Sequence, residues 1–217
     1  EAGIRDPDHR WTPYEQIEWA MDHGDPLFEP GEGFRYSDTA YVLAGQVAEA
    51  VTGRPLHEVV REALDFEGLG LDHTFFLSLE PDPDPGRPRL ANVFAELDLR
   101  ALDPSVDLYG GGGLVSTGED VAAFYEALFD GEVFQDPASL ERMTTVSPQS
   151  GDEQGAMGIF LVESAGIPCY GHIGFYGTEA VHCPGPDLTI VRTTGQALDP
   201  EGWSFDELDD RIARALT

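Results

Sequence analysis

The hydrophobic pattern of this chain changes period near residue 156, and that change does most to limit the folds open to it. Up to about residue 150 the apolar residues recur at helical spacing between helix start and stop signals. Thr12-Pro13-Tyr14-Glu15 reads as a capping box with proline at the first helical position, and Gly24 closes that helix. The pattern predicts a second helix from about Asp38 to Thr52, stopped by Gly53, and a third from Pro55 to about Asp65. Residues 81–89, PDPDPGRPR, are a stiff, turn-rich loop. In YGGGGLVSTGEDVAAFYEALFDG the four glycines at 110–113 precede Leu114, Ser116 or Thr117 caps a helix, and Gly131 ends it. A short helix follows Asp136-Pro137.

From Ala156 onward, segments 156–162, 168–173, 178–183 and 187–194 are short, carry β-branched and aromatic residues, and are separated by Gly or Pro. They predict a β-meander. SFDELDDRIARAL then opens like a capping box (Ser204, Glu207), with Phe205, Leu208, Ile212 and Leu216 on one face. Helices, then antiparallel strands, then a helix define an α+β fold: an antiparallel sheet flanked by helices, plus a helical subdomain. A single domain is expected over 1–217, mainly helical in 1–150, with the meander and last helix in 151–217.

Charge narrows the partners. The chain has 41 acidic and 12 basic residues, a net charge of −29, and every basic residue is Arg. Such a field repels nucleic acid and anionic lipid. The acids are dispersed, as on proteins of saline cytoplasms, where screening relieves self-repulsion, and equally as on an acidic protein from a GC-rich genome. No apolar run reaches the roughly 18 residues a membrane helix needs. The chain starts at Glu1 with no signal peptide, which reads as a processed product or a piece of something longer. The absence of Lys rules out any mechanism that needs a lysine from these residues.

Four stretches carry chemistry. PGEGFRYSDTAYVLAGQVAEAVTGRPLHEVV, GLGLDHTFF, GGGGLVSTGEDVAAF and GHIGFYGTEA occur in that order across nearly all of the chain. Together they resemble the penicillin-recognising serine hydrolases, in particular the branch of class C β-lactamases, D-alanyl-D-alanine carboxypeptidases and related esterases. That resemblance implies nucleophilic acyl transfer: a serine in an S-x-x-K motif, a Tyr-x-Asn element, and a strand carrying Lys- or His-Thr-Gly. Tyr36-Ser37-Asp38 falls on the second motif, with Tyr36 as base or proton shuttle. His172-Ile173-Gly174 falls on the third, with His172 catalytic and Gly174 and the Phe175 N–H beside the oxyanion position. The S-x-x-K segment and the opening strands would lie upstream of residue 1. Ser78, Ser116 and Ser164 fit no substitute for the nucleophile, and none sits in a G-x-S-x-G elbow.

The departures from the family pattern have chemical consequences. A tyrosine acting as a base at neutral pH needs nearby positive charge, and without lysine Tyr36 is expected to be a neutral phenol. Asp38 stands where the family has Asn; a carboxylate only accepts hydrogen bonds and repels a substrate carboxylate. Its plain alternative is the N-cap of the following helix. Ile173 removes a hydroxyl that would bind the same carboxylate. Both changes favour a neutral ester or amide over a penicillin-like anion. The plain alternatives for Tyr36 and His172 are a buried aromatic anchoring the loop and a hydrogen-bonded strand histidine.

Cys169 and Cys183 face each other across a turn centred near Tyr176, with His172 on the opposite sheet face, so a zinc site with His172 and His182 does not converge. A cross-strand disulfide is geometrically possible, but its strict Cβ geometry favours two buried thiols. No cofactor and no metal are implied. The leading reading is a β-lactamase-like serine hydrolase acting through an acyl-enzyme, represented by a portion without its nucleophile and inactive alone. The others are a non-catalytic binding or assembly domain on the same scaffold, and an unrelated acid–base enzyme using His172. Expected partners are a small ester or amide, and the upstream segment or a second chain pairing on the 187–194 edge. Family relatives are often exported or membrane-tethered, whereas the acidic surface suits a saline cytoplasm.

Overall fold

The computed structural model describes residues 6–164 and 166–197 and divides into two compact units. The first comprises Glu1–Ala91 and Leu97–Asp120, the second Asn92–Glu96 and Val121–Thr217. The helix expected over 204–216 lies outside the described residues.

In the first unit, helix α1 (Pro13–His23) starts where expected: the Thr12 side chain accepts from the Glu15 N–H at 3.2 Å, and Glu15 Oε2 accepts from the Thr12 N–H at 2.7 Å. Helix α2 (Asp38–Thr52) ends at Gly53, whose φ of 68° is left-handed and whose N–H donates to the Glu49 carbonyl. Helix α3 (Leu56–Ala63) is shorter than the predicted run from Pro55 to Asp65. Pro55 is its cap, and the chain leaves the helix at Leu64. Strand β1 (Phe75–Phe76) pairs antiparallel with β4 (Leu114–Val115), Phe75 opposite Val115. Phe66, Leu71, Phe75, Phe76 and Leu108 are buried around this pair.

One buried carboxylate ties the unit together. Asp120, at 6% exposure, accepts from the His73 N–H (2.9 Å) and the Thr74 hydroxyl (2.8 Å) through Oδ2, and from the Thr117 hydroxyl (3.0 Å) through Oδ1. Thr117 also accepts from the Asp120 N–H at 3.1 Å, so it is the cap of the helix that starts at Gly118. With three donors on its two oxygens, this buried carboxylate is a structural anchor. Arg61 likewise grips Glu80 through two nitrogens, at 2.6 and 3.0 Å, and donates to the Thr74 carbonyl at 2.9 Å.

In the second unit, α4 (Gly118–Phe129, its first three residues in the first unit) and α5 (Pro137–Thr144, capped by Asp136) precede the meander. Strands β5 (Phe160–Ser164), β6 (Ile167–Ile173), β7 (Thr178–Cys183) and β8 (Leu188–Thr193) form one antiparallel sheet in sequence order. The first strand was expected from 156. Residues 156–159 instead make a turn, with the Ala156 N–H donating to the Ile159 carbonyl at 2.8 Å and Gly158 at φ 79°. Short strands β2 (Val93–Phe94) in this unit and β3 (Leu97–Asp98) in the first complete the described elements of sheet. Val93 bridges to Gln196, just past the end of β8.

The two faces of this sheet are built differently. Phe129 of α4 stacks on His182 and Tyr170 on one face, with ring centroids 4.5 and 5.6 Å apart. On the other, Cys169, Val181 and Cys183 form a core with Val162, Ile167, Leu188 and Ile190. Cys169 and Cys183 are joined by a disulfide, which corrects the expectation of two thiols. The register is the reason. Tyr170 pairs with His182, so the next residues outward face each other directly, close enough for the bridge to form.

A disulfide enclosing a loop of this length stabilises by about 3 kcal/mol. The chain unfolded without reductant should therefore contain no titratable thiol, and Cys169→Ala with Cys183→Ala should destabilise it by about 2–4 kcal/mol in denaturant unfolding.

Candidate active site

Tyr36 and Asp38 belong to the first unit; His172, Gly174 and Phe175 belong to the second.

Tyr36 ends an irregular stretch that enters α2. Its hydroxyl donates to Asp38 Oδ1 at 2.9 Å. The N-cap is Ser37, which makes no side-chain capping bond, and Asp38 is the first helical residue. The alternative of Asp38 as the cap is thereby corrected: its carboxylate turns back to the phenol. At the first turn of a helix it also complements the dipole. Tyr41, one turn on, brings its ring to 6.3 Å from that of Tyr36.

This carboxylate and the partial burial of the ring decide the protonation of the phenol. Burial, then the charge of Asp38, then its hydrogen bond, then Tyr41 push Tyr36 far above its ordinary value of 10.0. Tyr41 is raised too, by burial and then by Asp38. Both rings are neutral at physiological pH, as the lysine-free composition implies for Tyr36. Sequence reasoning missed Tyr41; aromatic residues on either side of a helix start were the available signal.

The glycine tract holds this helix in place by approaching it closely. A Cβ at Gly110 would sit 2.3 Å from the Tyr41 carbonyl oxygen, and one at Gly45 would sit 2.5 Å from that of Tyr109. Gly110 is also at φ 113°, which side chains rarely adopt. The backbones of 109–111 and α2 therefore meet without intervening side chains, and Asp38 lies just beyond, 3.6 Å from the Cβ position of Gly111.

In the second unit, His172 lies on β6 opposite Ala180 of β7. Its Nδ1 is 2.9 Å from the Ile173 carbonyl, so that nitrogen carries the proton when it bonds there, and its ring lies 5.3 Å from that of Phe160. β5 pairs with β6 only as far as Phe160 opposite Gly171. β6 runs on two residues further, paired with β7 alone among the described residues. His172 and Ile173 therefore sit on a one-sided stretch of strand.

Past Ile173 the chain turns. The Gly174 N–H donates to the Thr178 carbonyl at 2.6 Å and the Gly177 N–H to the Gly174 carbonyl at 2.9 Å. The Gly174 donor is thus consumed by the turn. Phe175 is 40% exposed, and its ring lies 5.9 Å from Phe94 and 5.2 Å from Tyr176. Nothing in the sequence signalled Phe94, whose distant segment is joined to the end of β8 by the Val93–Gln196 bridge.

An α+β fold with a helix-entry tyrosine and a histidine on a one-sided strand suits a hydrolase scaffold, and comparison with known proteins gives its family. The β-lactamase family model matches residues 2–215, and the chain belongs to that family. It is similar to a protein provisionally assigned as a D-alanyl-D-alanine carboxypeptidase in Escherichia coli strain K12, 26% identical over 206 residues, covering 80% of this chain and 47% of that protein. The D-amino acid amidase of Ochrobactrum anthropi SV3, solved with L-phenylalanine amide, superposes with a TM-score of 0.74 at 26% identity, covering 96% of this chain and 64% of that one. EstCE1, a hydrolase with promiscuous acyltransferase activity, has a TM-score of 0.60 at 26% identity, covering 92% and 65%. The chain spans about half the length of the curated relatives it matches. No helix among the described residues is long and apolar enough to cross a membrane.

Two outcomes test this geometry. Gly110→Ala should destabilise the protein by about 3 kcal/mol, from overpacking against Tyr41 and the left-handed backbone together. Asp38→Asn removes a negative charge beside the phenol, so Tyr36 should ionise at lower pH than in the parent. Tyrosinate absorbance, with Tyr36→Phe identifying the step, reads this directly; an unmoved step would contradict the pairing.

Proposed function

We propose that these residues are the nucleophile-free portion of a serine hydrolase that cleaves amide or ester bonds through an acyl-enzyme. Tyr36 is its proton shuttle and His172 a second catalytic residue; Asp38, Gly174 and Phe175 are its substrate contacts. The observation that carries the proposal is the Tyr36 hydroxyl donating to Asp38 at the entry to α2. It supports the reading by pairing the phenol with a carboxylate and keeping it in its neutral form. A neutral phenol is a poor base, and a cation brought beside it would lower its pKa toward a useful range. No lysine of this chain can supply that cation. On this reading residues 1–217 turn nothing over alone, and the S-x-x-K serine and lysine come from a segment outside them.

Asp38 and the net charge of −29 disfavour substrates with a carboxylate next to the scissile bond. Neutral or cationic amides and esters fit better. The amidase relative was solved with phenylalanine amide, a molecule of that type. The Phe175 N–H, with no hydrogen bond among the described residues, is the oxyanion donor on this reading, worth about 10²–10³ in rate once a nucleophile places the oxygen. A non-catalytic binding domain is the second reading, favoured by the Gly174 donor being already spent on Thr178.

Pure residues 1–217 should not hydrolyse a chromogenic acetyl ester above buffer. The polypeptide expressed from its natural reading frame should hydrolyse it, with Tyr36→Phe lowering kcat about 10²-fold or more. A fluorophosphonate adduct on any serine of residues 1–217 would overturn the assignment. An inert natural polypeptide would favour the binding domain.

A further inference from the structure

An ionised carboxylate can only accept hydrogen bonds, so whatever Asp38 recognises must be a donor. Its Oδ1 accepts from the Tyr36 hydroxyl at 2.9 Å, and no second donor reaches the carboxylate among the described residues. No arginine balances its charge there, Arg35 included. The carboxylates that hold the fold together are bonded differently. Asp120 accepts three donors, Glu80 accepts Arg61 twice and the Phe76 N–H at 2.7 Å, and Glu179 accepts from Arg192. Asp38 is exposed, and its Oδ2 is left to bond something else.

The surroundings of that oxygen suit a cation. The rings of Tyr36 and Tyr41 lie 6.3 Å apart at 39°, and the charge of Asp38 acts on both phenols. Both phenols are neutral, so they offer π faces and hydroxyl oxygens and bring no repelling charge. A carboxylate beside neutral aromatic rings binds an ammonium better than an uncharged donor, because its hydrogen bond is then charge-assisted.

We propose that Asp38 determines the substrate specificity of this site, its Oδ2 accepting from the ammonium group of an α-amino amide or ester. The inference rests on the reading that the site hydrolyses amides or esters, and it narrows the substrates from neutral or cationic to cationic. Distance supports the α position. Donors bound to the two oxygens of one carboxylate lie roughly 5–7 Å apart, so a Tyr36 hydroxyl working at the scissile bond sets the ammonium one or two carbons from it. The net charge of −29 acts in the same direction by concentrating cations near the protein.

The test compares alanine 4-nitroanilide, as each enantiomer, with lactate 4-nitroanilide, in which a hydroxyl of similar size replaces the ammonium. It uses the polypeptide expressed from its natural reading frame, at a pH well below the amine pKa of about 8. The better alanine enantiomer should have a kcat/KM about 10-fold or more above that of the lactate compound. Asp38→Asn keeps the shape and removes the charge, and should bring that ratio close to one, whatever it does to the absolute rates. Equal rates in the parent, or a ratio that Asp38→Asn leaves unchanged, overturn the inference. NMR titration with alanine amide and lactamide reads recognition without turnover. The parent should bind alanine amide about 10-fold more tightly, and Asp38→Asn should lose the difference. That preference without hydrolysis of any anilide refutes the hydrolase reading alone. Hydrolysis of all the anilides at equal rates refutes the ammonium site alone, and failure of both assays overturns both.

Discussion

The closeness of the glycine tract to α2 is the constraint on which the tyrosine site depends. Gly110 under the Tyr41 carbonyl and Gly45 under the Tyr109 carbonyl let the two backbones approach directly. Two backbones then set the height of the helix start, and backbones are far stiffer than side chains. The phenol of Tyr36 and the carboxylate of Asp38 are two residues apart, so their 2.9 Å contact depends on where α2 begins. Any shift of the helix along its axis would move Asp38 away from a ring anchored in the preceding loop. Four glycines in a row look like a flexible linker by composition. Here Gly110 makes a close backbone contact, which leaves no room for a side chain.

The second unit gains rigidity in a different way. Its sheet is clamped on one face by the Cys169–Cys183 disulfide within an apolar core and on the other by Phe129 stacked on His182 and Tyr170. His182 is lowered from its ordinary pKa, chiefly by burial against the opposing pull of Asp187, Asp130 and Glu126, which suits a ring stacked as an aromatic surface. His172 differs in kind. It stands where β5 has already stopped, on strand that among the described residues pairs with β7 alone.

Much of this was legible in the sequence, for identifiable reasons. Helix α2 was predicted to its last residue because Gly53 supplies the left-handed stop that a run of alanines and valines lacks. Three strands of the meander fell where their Gly and Pro boundaries put them, and the turn centre at Tyr176 gave the correct facing of Cys169 and Cys183. The bonding of those sulfurs was not legible, because it turns on Cβ positions rather than on order along the chain. The start of β5 was misplaced for a similar reason: Ala156, Met157 and Ile159 have strand-like composition, but Gly158 adopts a left-handed turn among them. At the site, the nearness of Tyr36 and Asp38 was readable from their adjacency. The cap at Ser37 was not, since Ser and Asp are both good caps and only the tyrosine hydroxyl decides which way Asp38 turns. Phe94 beside Phe175 had no sequence signal at all, because contacts this distant are set by the whole fold.

The extreme acidity then acquires a chemical meaning at one atom. A phenol becomes a base only when its anion is favoured, and burial, Asp38 and Tyr41 all favour the neutral form of Tyr36. Asp38 does so by contact and the dispersed acids do so by their field. In water of high ionic strength the field is screened within a few ångströms, but the contact with Asp38 is not. Salt alone therefore leaves the phenol neutral, whatever it does for solubility. What can prepare it is a cation close enough to share the Asp38 carboxylate. Such a group would both lower the pKa of the phenol and take over its hydrogen-bond acceptor, freeing the hydroxyl to turn toward substrate. On the proposed reading, Asp38 would then act as a latch, holding the tyrosine proton until a positive charge arrives to release it.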